Sequence, residues 1–316
     1  MSQGWPPEAP QATLGPAKNS LRAFPALRPG DPVLAIAPAG PFERDSFEAG
    51  LELIARRYQV HYDPGFLARH RYLAGSDERR LRELAAALAD TTARAIFCVR
   101  GGYGMMRLLT GLDGIAVAPK PVIGFSDITA LHQLLQRQGL VSVHGPNLTQ
   151  LARLDAHVPT RLLEILESRA PAAALTGTET YADGMAEGPL LGGNLSVLTR
   201  LLGTPFLPPL EGAVLLLEDV GERPYRLDRM WTHLALAGVF RQVHGIVLGE
   251  FIGCEEKDAD YSSADLLREL AAATGLPCAA GFPIGHGARN EPVPLGVRVR
   301  LDAGSRRLTC LESAAG

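Results

Sequence analysis

The spacing of apolar and polar positions changes period repeatedly from Arg28 onward, and the alternation predicts strand–helix–strand units. Residues 33–37 form a short apolar run closed by the turn APAGP and predict a strand, and FERDSFEAGLELIARRY behind it has helical spacing. The next strand is predicted over 59–62. SDERRLRELAAALAD puts Leu81, Leu84 and Leu88 on one face behind an N-cap at Ser76, which predicts a second helix. ARAIFCV is an unbroken apolar run leading into RGGYG. KPVIGF repeats that strand-then-corner pattern, and Ile128, Leu131, Leu134 and Leu135 carry a helix away from it. Strands alternating with helices imply a parallel sheet covered on both faces.

Near residue 165 the periodicity fades into SRAPAAALTGTETYADGMAEG, rich in Ala, Gly, Thr and Pro. Beyond it GPLLGG, GAVLLLED, VHGIVLGEF and the alternating VRVRLDA predict strands, with helices over 227–236 and 264–273. The expected architecture is α/β. A flexible leader (1–27) precedes an N-terminal doubly wound, mostly parallel sheet domain (28–165), a linker (166–187) and a second, smaller β-rich C-terminal domain (188–313).

Composition narrows the function classes. The 316 residues are 46% hydrophobic and 21% charged, ordinary for a globular protein with a sizeable core. A net charge of −3 gives no electrostatic reason to expect nucleic acid or an anionic membrane as partner. No apolar run approaches the ~20 residues of a membrane span. The Pro/Ala/Gln/Ser-rich leader lacks the charged start and apolar centre of a secretory signal, so the expected location is cytoplasmic. Cys98, Cys254, Cys278 and Cys310 are far apart with no CxxC pair, so neither a disulfide framework nor a zinc site is expected, and no metal or cofactor is called for.

The corner at Ser126 has two readings. Its hydroxyl either caps the following helix or stands at the helix's positive end as a nucleophile, close to backbone N–H groups that could hold an oxyanion. GFSDI matches only half of G-x-S-x-G. RGGYG, at the end of the neighbouring strand, is either a tight turn or a loop that lets a substrate approach the backbone, and the ends of adjacent strands are where ligands bind in doubly wound sheets. A serine nucleophile needs a base, and an imidazole with pKa ~6.5 suits neutral pH. Of the eight histidines, His286 stands out in the loop PIGHG. His132 and His233 fall inside predicted helices, and His157 and His244 have no distinguishing setting. Glu218 closes a very apolar strand and needs a partner, either a histidine or Arg223 or Arg226.

VRGGYG (99–104), IGFSDIT (123–129), HGP (144–146), GGNL (192–195), LEDVGE (217–222), YRLDR (225–229) and PIGHG (283–287) occur in that order. Together they resemble the LD-carboxypeptidase family of serine peptidases: the murein tetrapeptide carboxypeptidases, with the microcin C self-immunity peptidases as a branch. The resemblance implies a triad of Ser126 as nucleophile, His286 as base and Glu218 as its orienting acid, with oxyanion donors at the amides of Asp127 and Gly102. It implies an active site between two domains, no metal, a homodimer, and a murein peptide substrate cut before a terminal D-alanine. Arg100, Arg226 and Arg289 are candidates for the substrate's carboxylate, and Tyr103 and Asn194 complete the expected substrate-binding set. Two rivals stand beside this reading. One is an immunity-type peptidase cleaving aminoacyl- or peptidyl-nucleotide amides, with Tyr225 and Trp231 as a stacking platform; the other is a non-catalytic sugar- or peptide-binding protein. The chain departs from the family in GARNEP (287–292), where Arg289 and Glu291 bear on specificity, and in the long leader.

Overall fold

The computed structural model describes residues 21–316. In the first sheet, β1 (Pro32–Ile36), β2 (Gln59–His61), β3 (Ala95–Cys98), β4 (Val122–Gly124) and β5 (Ser142–His144) are mutually parallel in the order β5-β4-β3-β1-β2. The helices Arg44–Ala55 and Asp77–Ala89 form where the apolar spacing predicts them, and Ser76 Oγ caps the second by accepting from Arg79 N at 3.3 Å. The strand order reverses between β1 and β3, so the loops leaving their carboxyl ends border a crevice. Gly40 N–H, after β1, donates to Gly101 O, after β3, at 2.9 Å and ties the two loops together.

The second sheet is larger and mixed. It contains β6 (Leu175–Thr176), β7 (Glu179–Ala182), β8 (Met185–Asn194), β9 (Val214–Val220), β10 (Gly245–Ile252) and β11 (Cys278–Ala280). β13 (Arg298–Asp302) and β14 (Arg307–Cys310) complete it, in the order β6-β14-β13-β8-β9-β10-β11-β7. Its centre, β8 to β11, is parallel, and the flanking strands are antiparallel. The helices Pro224–Leu236 and Ser263–Thr274 overlap the two predicted ones.

Three boundaries differ from expectation. The stretch 166–187, read as a linker for its weak pattern, carries β6 and β7 and the start of β8. Most of the leader lies outside the described residues, but its end is packed: Arg22 bridges to Leu140, and buried Phe24 bridges to Ala315. The first sheet also takes a strand from the second half, since β12 (Val293–Leu295) runs antiparallel along β5. One apolar cluster accordingly spans both halves, joining Phe97, Ile123 and Val143 to Leu216, Val299 and Leu301.

Candidate active site

β4 ends at Gly124 and the chain turns through Phe125 into the 3-10 turn Ser126–Ile128 and the helix Thr129–Arg137. Ser126 has φ +66°, a left-handed conformation uncommon for a side chain with a Cβ. The turn and the helix behind it have Phe125 and Ile128 at their N-cap positions, and among the described residues the Ser126 hydroxyl accepts no capping bond, so the capping reading of this corner is not what the structure contains. A strained residue held at a strand-to-helix corner is a usual setting for a functional group. The glycine loop lies directly against it: a Cβ added at Gly101 would stand 2.9 Å from Ser126 Cβ and 3.2 Å from its Oγ. Gly102 has φ +102°.

Glu218, within β9, is completely buried. His286 Nδ1–H donates to its Oε2 at 2.7 Å, which selects the histidine partner over Arg223 and Arg226. Gly285 is required beside this pair, because at φ +125° a Cβ there would meet Glu218 Oε2 at 2.6 Å. Asn290 Oδ1 accepts from Gly285 N at 3.2 Å, and Glu250 Oε2 accepts from Gly287 N at 3.0 Å, so the loop is held on both sides of the histidine. Burial raises the Glu250 carboxyl above the usual range.

His286 leans on Phe125, the residue before Ser126, with ring centroids 4.7 Å apart. The fold therefore brings imidazole and serine corner together, although no hydrogen bond joins the Ser126 hydroxyl to His286 among the described residues. Such bonds are often long in unliganded sites. The two halves are registered by the helix behind Ser126: Asn194 N–H donates to Thr129 Oγ1 at 3.0 Å, and Asn194 pairs in the sheet with Glu218. Gln133 Nε2 adds a bond to Gly192 O at 2.9 Å.

The other expected residues are dispersed. Arg100 is exposed and donates to Pro41 O, and Tyr103, half-exposed, meets Tyr72 edge-on at 5.7 Å. Arg289 is 54% exposed and donates to Glu291 Oε1 at 2.9 Å; buried Glu291 also accepts from His157 Nε2 at 2.7 Å. Arg226 faces Glu222 at 3.4 Å on an exposed helix surface. The Asn194 side chain is buried and engaged in the fold. It caps Leu195–Leu201 through Val197 N at 3.2 Å and donates to Asp219 Oδ1 at 3.1 Å. His132 is a core residue donating from Nε2 to Gly124 O at 2.8 Å, and burial pushes it down to about 4.

Sequence patterns did not single out Phe125, Glu250 or the carboxyl of Asp127, which accepts from Met105 N at 2.7 Å. The alternation in VLGEF gives the only hint of Glu250, a carboxylate in an otherwise apolar strand.

Family models for the LD-carboxypeptidase N-terminal and C-terminal domains match residues 33–145 and 187–301. The chain belongs to the LD-carboxypeptidase family. Membership makes it a carboxypeptidase-type hydrolase of the serine class. A putative carboxypeptidase of Synechocystis sp. is 38% identical over 299 residues, 93% of this chain and 98% of that protein. The murein tetrapeptide carboxypeptidase of Pseudomonas aeruginosa is 37% identical over 293 residues, covering 87% and 94%. In fold the chain resembles the solved structure of MccF in complex with glutamyl sulfamoyl guanosine. The TM-score is 0.84 at 22% identity, over 93% of this chain and 99% of that one. Among the described residues no helix is long and apolar enough to cross a membrane.

Proposed function

We propose that the protein removes the terminal D-alanine of a murein tetrapeptide by serine catalysis, with Ser126, His286 and Glu218 as its triad. The observation that carries the proposal is the buried Glu218–His286 bond, held against a strained serine corner through Phe125. The bond at Nδ1 fixes the tautomer and leaves Nε2 to take the Ser126 proton as the oxygen attacks the scissile carbonyl. The amides of Gly102 and Asp127 receive the oxyanion, and the imidazolium, steadied by Glu218, then protonates the leaving D-alanine nitrogen. Water, activated by the same imidazole, releases the acyl group. Arg100, exposed and bonded to the Pro41 carbonyl rather than to a carboxylate, is the arginine best placed to meet a carboxylate from solvent; Arg289 and Arg226, also exposed, already face Glu291 and Glu222.

The nucleotide-amide alternative has less support. Trp231, its expected platform, is 2% exposed and packed on Phe240 at 4.8 Å, which leaves Tyr225 alone. The proposal includes a cytoplasmic setting, consistent with four cysteines that are all free and buried, and a homodimer, which the mass in solution tests.

Mass spectrometry of products from purified tetrapeptide is expected to show loss of one D-alanine. Ser126→Ala is expected to lower turnover by at least ~10³-fold with the fold intact. Near-normal turnover in that variant rules out this nucleophile.

A further inference from the structure

The peptide unit between Gly104 and Met105 ends the glycine loop and is held at both poles. At its oxygen, Arg80 Nη1 donates to Gly104 O at 2.9 Å; at its nitrogen, Met105 N–H donates to Asp127 Oδ2 at 2.7 Å. A cation thus faces the negative end of one peptide dipole and a carboxylate its positive end, the arrangement that makes both bonds charge-assisted. Neither group is a casual surface contact. Arg80 is fully buried and Asp127 is 3% exposed. A buried guanidinium is costly to maintain, and this one is directed at main-chain carbonyls rather than mainly at a carboxylate. It also donates to Pro38 O, on the loop after β1, and pairs with Asp77. Arg107 also pairs with Asp77, and Arg79, the neighbouring cation in the first turn of the helix Asp77–Ala89, pairs with Glu83.

Asp127 is the residue after Ser126. Its side chain therefore reaches back to the glycine loop from the nucleophile's own corner, while Arg80 holds the same peptide from the opposite side. We propose that Arg80 and the Asp127 carboxylate are positioning residues for the oxyanion site. Clamping Gly104–Met105 from both ends keeps the Gly102 and Asp127 N–H groups in one orientation relative to Ser126 Oγ. The inference rests on the reading of Ser126 as nucleophile and of those two amides as donors. It adds that two buried charges outside the triad govern transition-state binding without touching substrate.

The test uses the full chain with Arg80→Met, Arg80→Lys and Asp127→Asn. Turnover of tetrapeptide is normalised to the number of Ser126 sites that a fluorophosphonate labels exhaustively. Affinity is measured for a peptide boronate whose tetrahedral adduct mimics the oxyanion. Arg80→Met is expected to lose about 10²–10³-fold in kcat, the size of a lost oxyanion donor, with KM within about threefold and boronate affinity lost by the same factor. Arg80→Lys is expected to recover part of both. Asp127→Asn, which keeps an acceptor but no charge, is expected to lose less in the same direction. A merely structural role lowers melting temperature or the number of labelled sites. It leaves kcat per labelled site and boronate affinity within about threefold of the parent, and that result, in whichever of the three variants folds, overturns the proposal. Full activity in a parent protein whose Ser126 is not labelled overturns the nucleophile reading instead, and the inference with it.

Discussion

At the scale of single residues, the Glu218–His286 pair makes the sharpest demand. The carboxylate is sealed from water and among the described residues its Oε1 has no hydrogen-bond partner, so the strong contact it makes there is with the imidazole Nδ1–H. Glu218→Gln preserves shape and removes the charge that, in the proposed mechanism, fixes the tautomer and steadies the imidazolium. It is expected to lower kcat by roughly 10³–10⁴-fold, as in other triads deprived of their acid, with little change in melting temperature. A loss below ~10-fold in steady-state kinetics counts against His286 as the base. Much of this was legible in the sequence. His286 was marked by its flanking glycines, and Glu218 by being a charge at the end of VLLLED. Residue patterns alone left the partner of Glu218 open between a histidine and Arg223 or Arg226, because 68 residues separate it from His286, and only the family resemblance implied the pairing. Arg80 was hidden for a related reason: on an amphipathic helix an arginine reads as solvent-facing, and its real partners are carbonyls 24 and 42 residues away.

At the scale of elements, the helix Thr129–Arg137 is unusual in burying polar and apolar residues alike, from Thr129 through Gln136. Its period announced a helix, but not that its polar side would be enclosed between the two sheets. His132 on this helix and His144 on β5 face each other with ring centroids 6.4 Å apart. Burial pushes His132 down to about 4. It carries His144 well below the usual histidine range, with repulsion from His132 and His286 adding to it. The sign follows from proton uptake: below ~6.5 the unfolded chain binds protons at these histidines while the folded chain does not, so stability falls as pH drops from 6.5 toward 4. Asp127 and Asp219, both pushed up to about 6 by burial, act in the opposite sense between 3.8 and 6, where the folded chain holds the extra protons. A difference measurement separates the two. His144→Leu minus the parent protein, compared in melting temperature, is expected to shift in the variant's favour as pH falls from 7.5 to 5. A difference that stays flat over that range removes His144 from the account. The short edge strands were illegible at this scale, because two to four residues such as Leu175–Thr176 are too few to establish a period.

At the scale of the whole molecule, the composition change near residue 165 suggested two separable domains, and the packing does not respect that division. β12 closes the β5 edge of the first sheet, and Phe24, Ala314 and Ala315 join the core that also holds Phe97 and Leu301. The second half thus supplies both a strand and much of the apolar surface that buries the first. A fragment ending at residue 165 would leave the β5 edge unpaired, which invites association. It would also expose the face of the helix Thr129–Arg137 that Gly192 and Asn194 engage. The proposed triad would be divided as well, with Ser126 on one piece and Glu218 and His286 on the other. The full chain is therefore expected to melt in a single calorimetric transition whose van't Hoff and calorimetric enthalpies agree. The fragment is expected to show helical far-ultraviolet dichroism without a cooperative melt, and to aggregate. Two resolved transitions in the full chain, or a fragment that melts cooperatively as a monomer, would show that the halves fold independently. The site would then be assembled by docking of finished domains rather than by one shared core.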